Sequence, residues 1–216
     1  GKAVGANVGW DLAHGVGNIE LKLHDWNADF AAWCSYKYMN SGPGNASGIF
    51  VHERYLDRKD VPRFEGWWGT KKETRFLMKP EFEPMENADA WQLSNAPILS
   101  VAPYLASLEL FEEVGMSALI EKRETIVAYL EFVLKEIDDE VAESTFEIIT
   151  PEDRGCQLSV FLHGQGKPLF NYLMENGVIT DWREPNVIRL APAPFYCSFE
   201  DMYRFGQILK NGILAK

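Results

Sequence analysis

The hydrophobic pattern of the chain changes near residue 97, and this change restricts the possible folds more than any other feature. Before it, short apolar runs end in polar residues, which is typical of strands with polar tips. After it, apolar residues recur with helical spacing as far as residue 140, with Gly115 as a break, which predicts two amphipathic helices. We therefore expect an α/β protein with two parts, residues 1–97 and 98–216.

Shorter patterns predict the remaining elements on both sides of that change. In the first part, 6–14 predicts a buried strand, 19–35 a short helix and then a strand, and 46–55 a further strand. In the second part we expect strands in TFEIITP, CQLSVFLHG, VITDWR and VIRLAP and helices in KPLFNYLMENG and SFEDMYRFGQILKNGI. Ser198 as N-cap, with Asp201 at N3, gives the last helix a capping-box start.

Composition and charge argue against several classes of protein. The chain has 216 residues, 46% of them hydrophobic, which is enough for a sizeable core. The net charge is −11, with 32 acidic against 21 basic residues, and no basic stripe is present, which argues against a nucleic-acid partner. No apolar run approaches the length of a membrane span, and the first residues lack the pattern of a signal peptide.

The cysteines and the first residues indicate the compartment and the extent of the chain. Cys34, Cys156 and Cys197 have no paired spacing, which argues against a disulfide framework or a metal site and favours a reducing, cytoplasmic compartment. The sequence has no initiator methionine and reads as though it begins within a domain. We therefore expect the chain to be a fragment.

Two polar residues are predicted at the carboxyl ends of strands, where ligands of open α/β sheets bind. Lys37 lies in WCSYKY, and its apolar neighbours lower the cost of deprotonation, because desolvation disfavours the ammonium form. A neutral amine is the form that a Schiff base requires. Asp11 could hold the proton on the ring nitrogen of a pyridine cofactor. The residues alone also allow a solvated surface lysine and a turn aspartate.

A longer resemblance connects these residues. The segment GWDLAHGVGNIELKLHDWNADFAAWCSYKYMNSGPG resembles the cofactor-lysine region of the kynureninases, which are pyridoxal 5′-phosphate (PLP) enzymes of the aspartate-aminotransferase fold type, fold type I. The resemblance continues in one collinear order through EGWWGT, TRFLM, LSNAPIL, RGCQLSV and IRLAPAPFYCSFEDMYRF. It implies that 1–97 belongs to the large PLP-binding domain, a mostly parallel sheet between helices. Residues 98–216 would then hold linking helices and a small α+β C-terminal domain.

The motifs DLAH and CSYK carry most of the implied cofactor contacts. The resemblance implies that Asp11 binds the pyridine nitrogen and that His14 lies beside the cofactor. Lys37 would bind the cofactor covalently. Tyr36 would contact the phosphate and act as a proton donor. For His14 alone, a turn histidine bonded to the backbone would fit as well.

Three other motifs carry further implied contacts. In EGWWGT, Trp67 would approach the phosphate across a subunit interface, with Trp68 in the neighbouring aromatic position near the substrate, although a Trp pair also suits packing. In LSNAPIL, Asn95 would lie near cofactor and substrate, with Ser94 beside it. In VIRLAP, Arg189 would bind the substrate α-carboxylate, for which a guanidinium is well shaped.

The resemblance also implies a reaction and an assembly. The reaction is hydrolysis of the Cβ–Cγ bond of L-kynurenine or 3-hydroxykynurenine to anthranilate or 3-hydroxyanthranilate and L-alanine, in tryptophan catabolism and NAD biosynthesis. The assembly is a cytoplasmic homodimer with shared sites, without metal, membrane or nucleic acid. The chain would be the C-terminal half only, because the phosphate-binding loop and the aromatic that stacks on the ring would lie upstream. We expect the segment alone to be poorly soluble and inactive.

Two alternatives remain open at this stage. A cysteine desulfurase or an aminotransferase would share the fold, but a desulfurase requires a reactive cysteine on an exposed loop. None of the three cysteines lies in a segment with that character. A non-catalytic paralogue would also keep the fold, but the joint presence of Asp11, Lys37 and Arg189 argues against decay of the site.

Overall fold

The described residues form two separate sheets, one in each of two units. The computed structural model describes residues 1–141, 145–164 and 166–215. The units are Gly1–Glu113 and Val114–Lys216, and each combines strands with helical segments, which confirms the α/β class. Within the described ranges, no helix combines the length and the apolar composition needed to cross a membrane.

The sheet of the first unit has the order β1-β2-β3, formed by Gly9–Asp11, Phe30–Trp33 and Gly48–Val51. Strands β1 and β2 are parallel, with Asp11 opposite Ala32, whereas β3 runs antiparallel to β2. The parallel pair places the carboxyl ends of β1 and β2 at the same edge of the sheet.

Two expectations for the first unit are wrong. The strand predicted in 6–14 is short and exposed rather than buried, with Trp10 50% exposed, because β1 is the edge strand of the described sheet. The helix predicted in 19–35 is absent from the described residues, and turns occupy 23–27 instead. Asn27 adopts φ 56 there, a left-handed conformation that ends helices and that Asn tolerates.

Asp29 joins the three strands of this sheet at the end opposite to the edge defined by Asp11. Its side chain is 3% exposed and accepts hydrogen bonds from Lys2 Nζ, the Val8 backbone N–H and the Tyr55 hydroxyl at 2.5, 2.6 and 2.6 Å. Its backbone N–H donates to the Val8 carbonyl, and its carbonyl accepts from the N–H of His52. One residue therefore ties the start of β1, the start of β2 and the end of β3.

Helix α1, Ile98–Val114, and helix α2, Met116–Glu140, flank Gly115, which confirms the predicted break. Helix α1 differs from the expected amphipathic pattern, because its apolar side chains are spread around the whole circumference. Leu99 is 91% exposed, whereas Phe111 is buried. The α1 sequence therefore offers apolar surface on more than one side.

In the second unit, the residues that the structure describes form an antiparallel sheet with the order β4-β5-β7-β6 and three helices. The strands are Phe146–Ile148, Leu158–Leu162, Asp181–Arg183 and Val187–Leu190, and helices α3 and α4 are Gly166–Glu175 and Phe199–Leu214. Inward side chains of β5 and the apolar face of α2 are almost fully buried, among them Leu158, Val160, Leu162, Ile126, Leu130 and Leu134. The predicted box at the start of α4 is present, with reciprocal hydrogen bonds between Ser198 and Asp201.

The contacts of Asp29 predict how the first unit responds to pH. Burial raises the pKa of Asp29, but the hydrogen bonds from Lys2, Tyr55 and the Val8 N–H outweigh it and hold the pKa well below its usual range. Because the folded-state pKa is depressed, the ionised carboxylate stabilises the fold above the unfolded-state pKa of about 4. That stabilisation is lost as the pH falls from there towards the folded-state value.

Asp29→Asn is expected to lower the free energy of unfolding at neutral pH by about 1–3 kcal/mol, because charge-assisted hydrogen bonds are lost. Urea unfolding between neutral and acidic pH should also show a shallower pH dependence for this variant than for the wild type. Asp57→Asn, at an exposed position, is the matched control. Equal pH dependence of the wild type and Asp29→Asn would contradict the proposed role of the Asp29 carboxylate.

Candidate active site

The carboxyl ends of β1 and β2 bring two of the predicted site residues to one edge. Asp11 is the last residue of β1, and the N–H of Leu12 continues the pairing by donating to the Ala32 carbonyl at 2.9 Å. Strand β2 ends at Trp33, and Lys37 follows in the next turn. Both turns therefore leave the sheet at the same edge.

The two turns pack against each other. A Cβ built on Gly17 would lie 2.9 Å from the Tyr38 carbonyl oxygen, so a larger residue at position 17 would push the turns apart. The ring of His14 meets the ring of Tyr38 edge-on, with centroids 6.0 Å apart. Cys34 Sγ lies 3.8 Å from the Ala13 carbonyl oxygen. The structure thus brings the turn that carries His14 next to the turn that carries Lys37.

Serine and asparagine side chains brace the lysine turn from within. Ser35 is fully buried and donates from its hydroxyl to the Ala46 carbonyl, while Ser41 Oγ donates to Ser35 Oγ at 2.8 Å. Asn45 Nδ2 donates to the Ser41 carbonyl at 2.9 Å. The loop after Lys37 is therefore closed by side-chain bonds that the sequence analysis did not identify.

Helix α1 fixes the same turn from outside. Ser107 Oγ, which is buried, donates to the Met39 carbonyl at 2.6 Å. Asn45 Nδ2 also donates to the carbonyl of Ser100 near the start of α1. The only signal of these contacts in the sequence is the presence of small polar residues, so their partners could not be assigned before the fold was known.

The two candidate residues differ in their local contacts. Asp11 is exposed, and one carboxylate oxygen accepts from the Ala13 N–H at 2.9 Å. Lys37 is half-buried, and its Nζ lies 6.0 Å from the ring centroid of Tyr36, which is itself 52% exposed. No ion pair holds the amine within the described part of the chain. The site therefore offers an amine and a carboxylate to a ligand, in a less apolar setting than WCSYKY indicated.

A second group of predicted site residues lies elsewhere in the first unit. A Cβ on Gly66 would lie 2.3 Å from Leu93 Cα, so only a glycine allows EGWWGT to pack this closely against the residue before Ser94. Ser94 and Asn95 are both exposed. The guanidinium of Arg75 lies over the Trp68 ring, 4.2 Å from its centroid, whereas Trp67 is half-exposed. This packing brings the tryptophan motif and the SNAP motif together.

Arg189 is the one predicted site residue in the second unit. It lies on β7 opposite Asp181 of β6, and its Nε donates to Asp181 Oδ2 at 2.5 Å. Its side chain is 25% exposed. The structure therefore shows a paired arginine on the open face of the small sheet, and its role toward a substrate stays a prediction.

Solved structures with the same architecture define the class of fold. The E. coli cysteine desulfurase CsdA matches 99% of this chain and 53% of its own with a TM-score of 0.77 at 14% identity. The alanine–glyoxylate aminotransferase of Nostoc sp. matches 98% of this chain and 55% of its own with a TM-score of 0.73 at 18% identity. The chain has the fold of the corresponding portion of the PLP enzymes of fold type I.

Sequence relatives define the family. The profile of the kynureninase C-terminal domain matches residues 123–209. The chain is 77% identical over its whole length to a kynureninase of Christiangramia forsetii and 71% identical to one of Flavobacterium johnsoniae. In each case it covers 51% of the relative, so the chain spans about half the length of the curated relatives it matches. These matches confirm the resemblance to the kynureninases along the whole chain, and the profile match agrees with the C-terminal part named by that resemblance.

The packing of Gly17 against Tyr38 generates a prediction with a matched control. Gly17 and Gly5 both have positive φ values, 78 and 74°, but a Cβ on Gly5 would meet nothing within 4 Å. Gly5→Ala should therefore cost about 1 kcal/mol of backbone strain. Gly17→Ala should cost about 1–3 kcal/mol more, because it also strains the contact between the turns. Urea unfolding measures both, and equal losses would contradict the contact.

Proposed function

We propose that the protein to which this chain belongs is a kynureninase that hydrolyses the Cβ–Cγ bond of L-kynurenine or 3-hydroxykynurenine. The products would be anthranilate or 3-hydroxyanthranilate and L-alanine. The observation that carries the proposal is the 77% identity to a curated kynureninase along the whole chain. The placement of Asp11 and Lys37 at one edge of the sheet supports it.

The residues at this edge fit PLP by the chemistry of their donor groups. Lys37 provides a primary amine for the cofactor aldehyde, and Asp11 provides a carboxylate for the protonated pyridine nitrogen. Tyr36, which is half-exposed beside the amine, would contact the phosphate, with His14 beside the ring. Trp67, which is not at this edge, would approach the phosphate across a subunit interface. When bound, PLP supplies an electron sink for the bonding pair released at the substrate Cα.

Asp11 would control the protonation of the ring nitrogen. One of its oxygens is held by the Ala13 N–H, which fixes the carboxylate at the end of β1. The other oxygen has no partner among the described residues and is available to accept a hydrogen bond from a ring N–H. An ionised acceptor favours the charged form of its donor, so Asp11 would keep the nitrogen protonated.

Lys37 would move the proton at the substrate Cα, and the braced turn would set where its amine can reach. The bonds among Ser35, Ser41 and Asn45, together with that of Ser107 to the Met39 carbonyl, restrict the backbone on which Lys37 sits. A base on a fixed backbone loses less conformational entropy when it reaches the reacting atom. Tyr36 would deliver a proton to the substrate carbon after cleavage.

The remaining predicted site residues would bind substrate and cofactor. Asn95, with Ser94 beside it, and Trp68 would contact substrate and cofactor from the second group of the first unit. Arg189 would bind the α-carboxylate through a guanidinium fork. These residues bind and orient, whereas Lys37 and Tyr36 would move protons.

The fold alone does not distinguish this function from a cysteine desulfurase or an aminotransferase, because solved members of both share it. The cysteines argue against a desulfurase. Cys156 is fully buried, and burial raises the pKa of the Cys197 thiol, which disfavours the nucleophilic thiolate. Cys34 lies next to the end of β2 and is half-buried.

We further propose a cytoplasmic homodimer that acts in tryptophan catabolism and NAD biosynthesis. The described cysteines form no disulfide, which fits a reducing compartment. Apolar side chains around the tryptophan motif are strongly exposed, with Phe64 84%, Phe76 75% and Met78 72% accessible. Such a surface suits a subunit interface. Sedimentation of the full-length protein tests the dimer.

The activity is best tested in a chimera in which residues 1–216 replace the matching half of the Christiangramia forsetii kynureninase. The chimera should release anthranilate from L-kynurenine. Lys37→Ala should abolish both turnover and the visible absorbance of lysine-bound PLP, with a loss of at least about 10³-fold in kcat. Lys22→Ala, which removes an exposed lysine of the same unit, is the control and should leave both unchanged.

Sulfide release from L-cysteine in the same chimera, without anthranilate release from L-kynurenine, would contradict the proposal in favour of a desulfurase. Turnover retained by Lys37→Ala would remove Lys37 from its role. The 216-residue chain alone is expected to show no turnover, and activity of that chain would refute this expectation.

A further inference from the structure

Three charged side chains cluster on the open face of the small sheet in the second unit. Asp181 and Arg183 are two residues apart on β6, so their side chains point to the same face of the sheet. Asp181 lies directly opposite Arg189 of β7. Arg183 is 58% exposed and Asp181 is 44% exposed. The cluster is therefore open to a ligand and is built by the strand register rather than by a loop.

A single oxygen atom joins the two arginines. Arg189 donates to Asp181 Oδ2 from Nε at 2.5 Å and also from Nη2, and Arg183 Nη2 lies 3.1 Å from the same oxygen. The bonds from Nε and Nη2 fix the plane of the Arg189 guanidinium. Because Nε and Nη2 bind Asp181, Nη1 lies on the side of the guanidinium that is turned away from this carboxylate. Nη1 has no acceptor within the described ranges.

The charges of the cluster do not cancel. Asp181 alone would neutralise Arg189 and weaken its attraction for an anion. Because Arg183 shares the same carboxylate, two cations face one anion and the cluster keeps a net positive charge. An oriented guanidinium with residual positive charge is the arrangement that a carboxylate ligand requires.

We propose that Asp181 and Arg183 are positioning residues for carboxylate recognition by Arg189. Asp181 orients the guanidinium, and Arg183 offsets the charge of Asp181 so that Arg189 still attracts an anion. The inference rests on the proposed function only in assigning a carboxylate ligand to Arg189. An ordinary surface ion pair would stabilise the fold by little and would leave ligand affinity unchanged.

The test compares L-alanine with ethylamine, which has the same amine but no carboxylate. Both are titrated into the PLP-loaded chimera, and the dissociation constant of ethylamine is divided by that of L-alanine. This ratio increases with the contribution of the carboxylate to binding. Arg183→Gln should reduce this ratio about threefold to tenfold, and added salt should diminish the difference from the wild type. Arg183→Lys should restore most of the ratio. Arg204→Gln, which breaks an exposed ion pair with Glu200, is the matched control and should change nothing.

Substitutions of Asp181 separate orientation from charge. Asp181→Ala should reduce the ratio about tenfold, because the guanidinium loses its fixed plane. Asp181→Asn, which keeps a hydrogen-bond acceptor, should restore part of it. In ¹⁵N NMR, the Arg189 Nε–H should exchange with water faster in Asp181→Ala than in the wild type, and Arg204→Gln should not change this exchange.

A larger ratio in Asp181→Ala would overturn the inference, because Asp181 would then compete with the ligand instead of orienting its receptor. An unchanged ratio in Arg183→Gln would overturn the role of Arg183. A wild-type chimera that binds both amines equally would remove carboxylate recognition altogether. These outcomes are independent of anthranilate release, so a chimera that recognises the carboxylate but does not cleave L-kynurenine would contradict only the proposed function.

Discussion

The parallel pairing of β1 with β2 is the constraint on which the candidate site depends. Because the two strands run in the same direction, both carboxyl ends reach one edge of the sheet, where Asp11 and the turn of Lys37 leave it. Asp29 holds the opposite end by bonding the segments that precede β1 and follow β3. A buried carboxylate at the opposite end of the sheet therefore helps to hold together the strands whose carboxyl ends carry the candidate site.

Hydrogen bonds from other polar side chains likewise hold the segments that carry the candidate site residues. Ser35, Ser41 and Asn45 close the lysine turn, and Ser107 ties it to α1. In the second unit the strand register alone sets Asp181 opposite Arg189. Buried or partly buried polar groups must find partners, and here those partners are the backbone and side chains that define the site.

Local signals in the sequence predicted the elements that depend on local chemistry. Gly115 separates α1 from α2, and Ser198 with Asp201 begins α4, because breaks and caps involve neighbouring residues. The absent helix before β2, the exposure of β1 and the bracing of the lysine turn were not predictable in this way. The bracing of the lysine turn depends on partners distant in the chain, such as Ser100 for Asn45, and the exposure of β1 depends on its position at the edge of the sheet. The site residues themselves came from the resemblance, because single polar residues at strand ends allow ordinary structural roles.

We propose that the amine of Lys37 binds PLP covalently while the Asp11 carboxylate accepts a hydrogen bond from the protonated ring nitrogen. Borohydride reduction of the PLP-loaded chimera, followed by proteolysis and mass spectrometry, locates the covalent link directly. We expect one modified peptide, with the pyridoxyl phosphate mass on Lys37. A pyridoxyl phosphate adduct on a different lysine, or none on a chimera that cleaves L-kynurenine, would contradict it.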